Sequence, residues 1–417
     1  MYNYSKTLKK NKNLNILLYF PYRGIGGVSR VFLNIKKIYK KDNIKLVDFE
    51  DGYMAKNTND IKSLINVKTI KNYPNNAIIL FQSFLIWNLK DFKKFPQETK
   101  LIFWNLHPLN LYPYLVSDRG SKIKKVAHKI FSPLSYLRRK KIKALVKYLI
   151  DTRSIFFMDY ENKIKTEEFF DIKISNDLFL PIFIKTNFPK RDIVKNKKIL
   201  KLGYLGRLVD FKVNTLVHLI NRLERLETQF EFHIIGEGTS KKELIQTQKK
   251  LKNIKLIFRG EINIEKNDQI LYEIDLFFAM GHSILELTAR SIPVISMNYS
   301  YSKIKKQLKF SWSFENNNYN LAEEVKYDFH FEKSCSLSEK INDLGSNYQL
   351  YCNKSLKWVS KYYSEQTFKT KFDEIVDNSS ANFKDLIKYK LDKPDLISFI
   401  YKRIRNKQDT LSYFNQL

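Results

Sequence analysis

Short apolar runs alternate with amphipathic stretches along most of the chain. Apolar runs of about four to eight residues are typical of buried strands, whereas apolar residues at every third or fourth position indicate helices. The predicted strands are residues 14–20, 44–49, 77–81, 101–104 and 154–158, then 199–205, 230–235, 254–258, 276–279 and 293–297. The predicted helices include residues 212–227, 240–251, 266–272, 283–291 and 356–376.

This alternation predicts α/β domains, in which parallel sheets are covered by helices on both faces. The charged stretch 189–198 is poor in apolar residues and is the predicted linker. We therefore expect an N-terminal Rossmann-like domain at residues 1–188, a second Rossmann-like domain at 189–362, and a C-terminal helix with a basic tail at 363–417. Two such domains would face each other across a cleft, where ligands bind beyond the carboxyl ends of the strands.

The composition excludes several classes of protein. The chain has 417 residues, of which 43% are hydrophobic, so it is not a disordered chain. Its two cysteines, Cys335 and Cys352, are too few for a disulfide scaffold or a four-cysteine zinc site. The N-terminal apolar run is too short for a signal peptide, and no uninterrupted apolar run reaches the about 20 residues of a membrane span. We expect a cytoplasmic protein.

The net charge of +31 indicates an anionic partner or a compositional bias toward lysine. Residues 119–147 contain eleven basic residues and no acid, interleaved with apolar residues. Such a stretch suits the anionic inner face of the cell membrane, on which the protein would be peripheral, and nucleic acid would also accept it. No nucleic-acid recognition motif accompanies it, so we expect no nucleic acid partner. The predicted membrane-contact residues are Lys122, Lys125, Arg138, Arg139, Lys140 and Lys141.

Four glycine-containing turns follow predicted strands. Gly24-Ile25-Gly26-Gly27 opens a helix, where backbone N–H groups and the helix N-terminus would favour an anionic ligand, although a tight turn without a ligand explains it equally well. The second turn carries Arg207 and Lys212 at the start of the next helix. Two cations there form a site for a diphosphate, unless they are ordinary solvated surface cations.

The third turn is Gly236-Glu237-Gly238, and the fourth runs from Gly281 to Glu286. In the fourth turn we expect Ser283 to be the N-cap of the helix. We also expect Glu286 to lie on the first helical turn, where it would interact favourably with the helix dipole or accept hydrogen bonds from sugar hydroxyls.

Taken in this order, the four motifs resemble the nucleotide-sugar glycosyltransferases of the two-domain GT-B fold, in particular the family 4 group that builds bacterial surface polysaccharides. The resemblance implies that Gly26 and Gly27 lie beside the donor diphosphate and sugar, that Arg207 and Lys212 bind the diphosphate, and that Glu286 binds the donor ribose. The other implied donor-binding residues are Gly236, Glu237 and Gly238 near the base, with Gly281, His282, Ser283, Ile284 and Leu285 near the phosphates.

One position departs from the family pattern. The family's E-x7-E motif has a glutamate eight residues before the ribose-binding one, and here that position is Phe278. The turn is also shorter than usual. His282 would replace part of the lost role, or is simply a histidine at a helix start.

The implied chemistry is metal-independent transfer of a sugar from a nucleoside-diphosphate sugar to a glycan acceptor, expected to be lipid-linked, in capsule or lipopolysaccharide biosynthesis. No cofactor beyond the donor substrate is expected, and the D-x-D metal motif is missing from the sequence. His107 would orient or deprotonate an acceptor hydroxyl, or is a hydrogen-bonded loop histidine. The alternative function is a non-catalytic GT-B-like protein that binds a nucleotide or glycan.

Overall fold

The computed structural model describes residues 14–24, 26–39, 43–83, 86, 94–107, 110–111, 136–188, 200–226, 228–264, 267–305, 308, 310–316, 319–325 and 337–391. The chain divides into two compact units. The first comprises Met1–Leu180 with Thr370–Leu417, and the second comprises Pro181–Lys369. The predicted linker, 189–198, lies outside the described residues.

The first unit is built on a six-stranded parallel sheet with the strand order β3-β2-β1-β4-β5-β6. Its strands are β1 Asn15–Tyr19, β2 Ile44–Asp48, β3 Leu64–Asn66, β4 Ala77–Gln82, β5 Lys100–Asn105 and β6 Ile155–Phe157. Among the described residues, the helices between or after these strands are α1 Gly27–Tyr39, α2 Tyr53–Asn57, α3 Tyr136–Asp151 and α4 Tyr160–Phe170. The central strands are buried along almost their whole length, which explains their continuous apolar runs.

The second unit repeats this arrangement, with the strand order β12-β11-β10-β7-β8-β9. Its strands are β7 Leu200–Leu205, β8 Phe230–Ile235, β9 Ile254–Gly260, β10 Leu276–Ala279, β11 Val294–Ser296 and β12 Ser311–Trp312. All neighbours pair in parallel except β12, which pairs antiparallel with β11 at the edge. The helices of this unit are α5 Asp210–Glu224, α6 Lys241–Gln248, α7 Asp268–Tyr272, α8 His282–Ala289 and α9 Leu337–Tyr363.

Both sheets follow the doubly wound strand order 3-2-1-4-5-6 when each is counted from its own first strand. The chain reverses direction across the sheet between β1 and β4 in the first unit, and between β7 and β10 in the second. The prediction of two Rossmann-like α/β units is confirmed.

The C-terminal segment returns to the first unit. After α9, helix α10 spans Glu365–Asn378 and helix α11 spans Phe383–Ile387. The backbone N–H of Leu101 donates to Ala381, and that of Phe383 donates to Thr99. The Tyr39 hydroxyl donates to Asp373 at 3.0 Å. These contacts attach the segment from Thr370 onward to the sheet that the first residues of the chain form.

The stretch 356–376 is helical as predicted, except at Ser364, which separates α9 from α10. The Ser364 hydroxyl accepts a hydrogen bond from the N–H of Thr367, so it begins α10 as an N-terminal cap does. The backbone N–H of Ile184 donates a hydrogen bond to the carbonyl of Tyr363, the last residue of α9. Among the described helices, none combines the length and the apolar character needed to cross a membrane.

Candidate functional site

Three of the predicted motifs lie together at one edge of the second sheet. Strands β10, β7 and β8 are neighbours and run parallel, so the loops that follow them leave the same edge. These loops carry Arg207, the turn Gly236–Gly238, and the turn before Glu286. The edge between β7 and β10 is the point where the strand order reverses, which is where open α/β sheets bind ligands.

The loop after β7 presents two cations. Gly206 has a φ of 155°, and a side chain there would press on the Tyr204 hydroxyl beneath it. Arg207 is exposed, whereas Lys212, the third residue of α5, is half-buried. Burial, helped by the positive charge of Arg207, lowers the pKa of Lys212 to about 8. Within the described residues, neither cation has a carboxylate at ion-pair distance, so an anionic ligand would relieve the repulsion between them.

The turn after β8 is locked onto the loop after β7 by backbone contacts. The N–H of Leu208 donates to the carbonyl of Glu237 at 2.9 Å, and the N–H of Ser240 donates to the carbonyl of Leu208 at 3.0 Å. A β-carbon on Gly236 would collide with the carbonyl of Gly206, and one on Gly238 would collide with that of Leu208. These two glycines are therefore required by the packing of two loops, whether or not a ligand approaches them. Glu237 forms an exposed ion pair with Lys241 at 2.8 Å.

The turn after β10 corrects two expectations. The N-cap of α8 is Gly281, with a φ of 67° that favours glycine, and Ser283 is already the second helical residue. The first turn of α8 contains no acidic residue, because Glu286 is the fifth residue of the helix. Ile284 and Leu285 are fully buried, so only their backbone could serve a ligand. An interaction with the helix N-terminus therefore does not explain Glu286.

Glu286 is instead held on both of its carboxylate oxygens. His282 Nε2 lies 3.1 Å from Oε1, and Arg290 Nη1 lies 2.8 Å from Oε2. Burial opposes ionisation of Glu286, but the His282 hydrogen bond and the charge of Arg290 outweigh it and hold the pKa of Glu286 below its ordinary value. Arg290 also pairs with Asp268 at 2.7 Å. Arg290 is not among the predicted site residues, although an arginine four residues after Glu286 in an otherwise apolar run was the available signal.

Phe278, the residue found by counting eight positions back from Glu286, does not lie in the turn. It is inside β10, fully buried, with its ring 6.1 Å from that of Phe232 and 6.4 Å from that of Phe310. Only Met280 and Gly281 separate β10 from α8. The acidic residue is thus missing because the turn is short, rather than because a phenylalanine occupies its place.

The first glycine loop belongs to the first unit and lies at the carboxyl end of β1. Gly27 is the exposed first residue of α1, with open space where a β-carbon would be, and Gly26 lies against the Tyr22 ring. The Tyr22 N–H donates to the buried carboxylate of Asp48 at 2.8 Å. That carboxylate also accepts the backbone N–H groups of Phe49, Met54 and Ala55. Burial raises the pKa of Asp48 to about 6 despite these four hydrogen bonds.

The remaining predicted residues are distributed over the first unit. His107 is exposed just after β5, and its role stays a prediction. Lys122 and Lys125 lie outside the described residues. Helix α3 buries Ile142, Leu145, Val146 and Leu149. On its other side Lys140 and Lys141 are exposed, together with Tyr136 and Leu137.

Arg138 and Arg139 differ from these two lysines because both are half-buried. Arg139 donates to the carbonyl of Phe169 and lies 4.2 Å over its ring. It therefore contributes to the packing of α3 on α4. Of Arg138, Arg139, Lys140 and Lys141, only the two lysines are exposed.

The chain is also similar to known proteins, in sequence over part of its length and in fold. Residues 185–324 match the family model described as Glycosyl transferases group 1. Among curated proteins, no sequence matches the chain significantly.

Three solved structures are similar over both units. The lipopolysaccharide outer core galactosyltransferase WaaB in its apo form is 13% identical, with a TM-score of 0.52 and coverage of 87% of this chain and 98% of that one. Anabaena HepE in complex with UDP and glucose is 14% identical, with a TM-score of 0.51 and coverage of 87% and 99%. A glycosyltransferase from Rickettsia africae is 14% identical, with a TM-score of 0.52 and coverage of 90% and 99%. At such low sequence identities, the similarity to these structures shows a shared fold and nothing more. The family model, in contrast, matches the sequence itself. Residues 185–324 thus match the group 1 glycosyl transferase model, and the chain has the two-unit α/β fold known as GT-B.

Proposed function

We propose that the chain transfers a sugar from a nucleoside-diphosphate sugar to a glycan acceptor in cell-surface polysaccharide biosynthesis. The observation that carries this proposal is the half-buried Lys212 beside Arg207, at the N-terminus of α5 and at the point where the strand order of the second sheet reverses. A lysine that has lost part of its hydration, next to another cation, is poised to bind a dianionic group.

The chemistry follows from where charge develops. The bond between the anomeric carbon of the sugar and the phosphate oxygen of the donor breaks, while the acceptor hydroxyl oxygen bonds to that carbon and gives up its proton. The leaving nucleoside diphosphate therefore gains negative charge on its phosphate oxygens. Fixed cations and backbone N–H groups that are already in place stabilise this charge without reorganisation. Arg207, Lys212 and the N-termini of α5 and α8 supply such groups on one edge. We propose that this edge neutralises the leaving group without a metal ion.

The donor proposed for the first test is a UDP-hexose. HepE, which shares the fold, was crystallised with UDP and glucose, and WaaB is named a galactosyltransferase. Glu286 would accept a hydrogen bond from a hydroxyl of the donor ribose, because its ionised carboxylate lies at the same edge as the two cations.

We further propose that the acceptor is lipid-linked, in capsule or lipopolysaccharide synthesis, and that the protein is peripheral on the inner face of the cell membrane. Lys140 and Lys141 of α3 are exposed beside Tyr136 and Leu137, whose exposed fractions are 64% and 72%. Cations next to exposed apolar side chains suit an anionic lipid surface.

The test is donor hydrolysis and transfer by the full chain with UDP-glucose and UDP-galactose, followed through the release of UDP. Arg207→Ala and Lys212→Ala are each expected to lower kcat by about 100- to 1000-fold, as removal of one preorganised donor does in other enzymes. Arg225→Ala is the matched control, since it removes an exposed arginine at the other end of α5 and should leave the rate unchanged. Equal rates in all four proteins would contradict the proposal.

A second candidate is a non-catalytic protein that binds the nucleotide or a glycan. The observation that favours it is the short turn between β10 and α8, which carries no acidic residue to contact a transferred sugar. This candidate predicts that UDP binds and that the binding depends on Arg207 and Lys212, with no release of UDP from any donor.

A further inference from the structure

Arg290 is a fully buried arginine whose donors are directed at two carboxylates. Its exposed fraction is 1%, and it follows the last residue of α8. Its Nε donates to Asp268 Oδ1 at 2.7 Å, while Nη1 donates to Glu286 Oε2 at 2.8 Å and to the Glu286 carbonyl at 2.9 Å. The guanidinium carbon lies 3.9 Å from the centre of the Phe188 ring. The planar group is thus fixed in its plane by two acids and on its face by an aromatic ring.

The two oxygens of Glu286 are placed in different surroundings as a result. Oε2 is bound inside the unit by Arg290, which is almost inaccessible to solvent. Oε1 is bound by His282, whose side chain is 51% exposed and which is the first residue of α8. Rotation of the carboxylate would break the Arg290 contact, so Oε1 stays directed at the N-terminal end of α8, toward the proposed phosphate site.

We propose that Arg290, held by Asp268 and Phe188, is a positioning residue that reserves Oε2 and presents only Oε1 of Glu286 to the ribose of the bound nucleotide. This inference rests on the proposed function, because it requires a nucleotide at this edge. Beyond the proposed function, Oε1 of Glu286 alone recognises the ribose, and the geometry of this contact depends on Arg290, which does not touch the ligand.

The choice of arginine follows from the geometry. A guanidinium offers several N–H donors in a fixed plane, so it can join Asp268 to Glu286 while it packs flat on Phe188. The ammonium group of a lysine is a point charge without a plane, and it would keep the charge but lose this orientation. Arg290→Lys therefore separates the effect of charge from that of orientation.

The test compares UDP with 2′,3′-dideoxy-UDP by calorimetry on the full chain. The wild-type protein is expected to prefer UDP by about 10- to 100-fold, the range for hydrogen bonds to a charged group. In Arg290→Met and Arg290→Lys this preference should fall to less than about threefold, through weaker binding of UDP while the affinity for the dideoxy analogue stays the same. Asp268→Asn, which changes a partly exposed partner of Arg290, should lower the preference to an intermediate value and is the variant least liable to misfold.

Lys340→Met is the matched control. Lys340 is another buried cation of the second unit, paired with Glu315 at 3.3 Å, so its loss should lower stability without changing the preference for UDP. If the wild-type protein prefers UDP and the Arg290 and Asp268 variants keep that preference, the positioning role is overturned while the proposed function stands. Equal binding of both nucleotides by the wild-type protein would overturn ribose recognition by Glu286. If UDP, GDP, ADP, CDP and dTDP all fail to bind, the proposed function falls, and this inference with it.

Discussion

The ring of Phe278 in β10 stacks on that of Phe232 in β8, with 6.1 Å between the ring centres and 21° between their planes. The side chain that sequence counting assigns to the sugar-binding position is therefore part of the core of the second sheet. Replacing it with an acid would not restore a family motif, because the side chain would remain inside the unit.

We accordingly expect Phe278→Glu to destabilise the second unit by more than about 4 kcal/mol, since it removes a buried ring and places a charge in an apolar core. Phe278→Leu should cost about 1–2 kcal/mol, within the ordinary range for substitutions. Urea unfolding of both variants measures the difference. A stable Phe278→Glu protein with raised transfer activity would show that the residue faces the donor.

The lowered pKa of Lys212 predicts how nucleotide binding depends on pH. The lysine is protonated below about pH 8 and loses its charge as the pH rises through that value. Binding of UDP should therefore weaken above pH 8, and at pH 9 it should take up a proton, because the bound diphosphate favours the charged lysine. Calorimetry in two buffers with different ionisation enthalpies measures this uptake.

Lys212→Arg provides the comparison, because arginine keeps its charge throughout this range. The affinity of the Lys212→Arg protein for UDP should change little between pH 7 and 10.

The lowered pKa of Lys212 also affects stability. The unfolded chain binds more protons than the folded one between about pH 8 and the ordinary value of 10.5, so the contribution of Lys212 to stability grows as the pH rises through that window. A wild-type affinity for UDP that stays constant between pH 7 and 10 would contradict the lowered pKa of Lys212.

The glycines of the two units should respond differently to substitution. Gly236→Ala is expected to lower stability by about 2 kcal/mol or more, because the φ of 140° is strained for alanine and the methyl group meets the Gly206 carbonyl. Gly27→Ala should leave stability unchanged or slightly raised, since alanine suits a helix and space is open there. Thermal unfolding measures both. If activity falls in a stable Gly27→Ala protein, the loop serves a ligand; unchanged activity makes it a simple turn.

The exposed lysines of α3 predict vesicle binding. Replacing Lys140 and Lys141 with alanine should weaken binding to vesicles containing phosphatidylglycerol by about 30-fold, at about 1 kcal/mol for each cation. The control replaces Lys249 and Lys250, two exposed lysines of the second unit, and removes the same charge. Sedimentation with the vesicles measures both. Equal losses in the two proteins would mean that net charge, rather than this helix, governs the interaction.

The order of strands, helices and glycine turns could be predicted from the sequence because each depends on neighbouring residues. Apolar runs predicted β8 and β10 with the bounds that the structure has. The position of Arg207 after a strand and of Lys212 at the start of the next helix followed from the same local pattern. The parallel strands then bring the three loops of the second unit to one edge, which the alternation of strand and helix already implied.

Tertiary structure decided the features that depend on residues far apart in the chain. Arg290 meets Asp268 and Phe188 only because separate segments converge there, and Gly236 is needed because the loop after β7 lies against it. The burial of Phe278 depends on neighbours from β8 and from Phe310. The return of the C-terminal helices to the first unit rests on contacts such as Tyr39 with Asp373. A local pattern contains no information about such partners, because packing and charge pairing are fixed by distance in space rather than by distance along the chain.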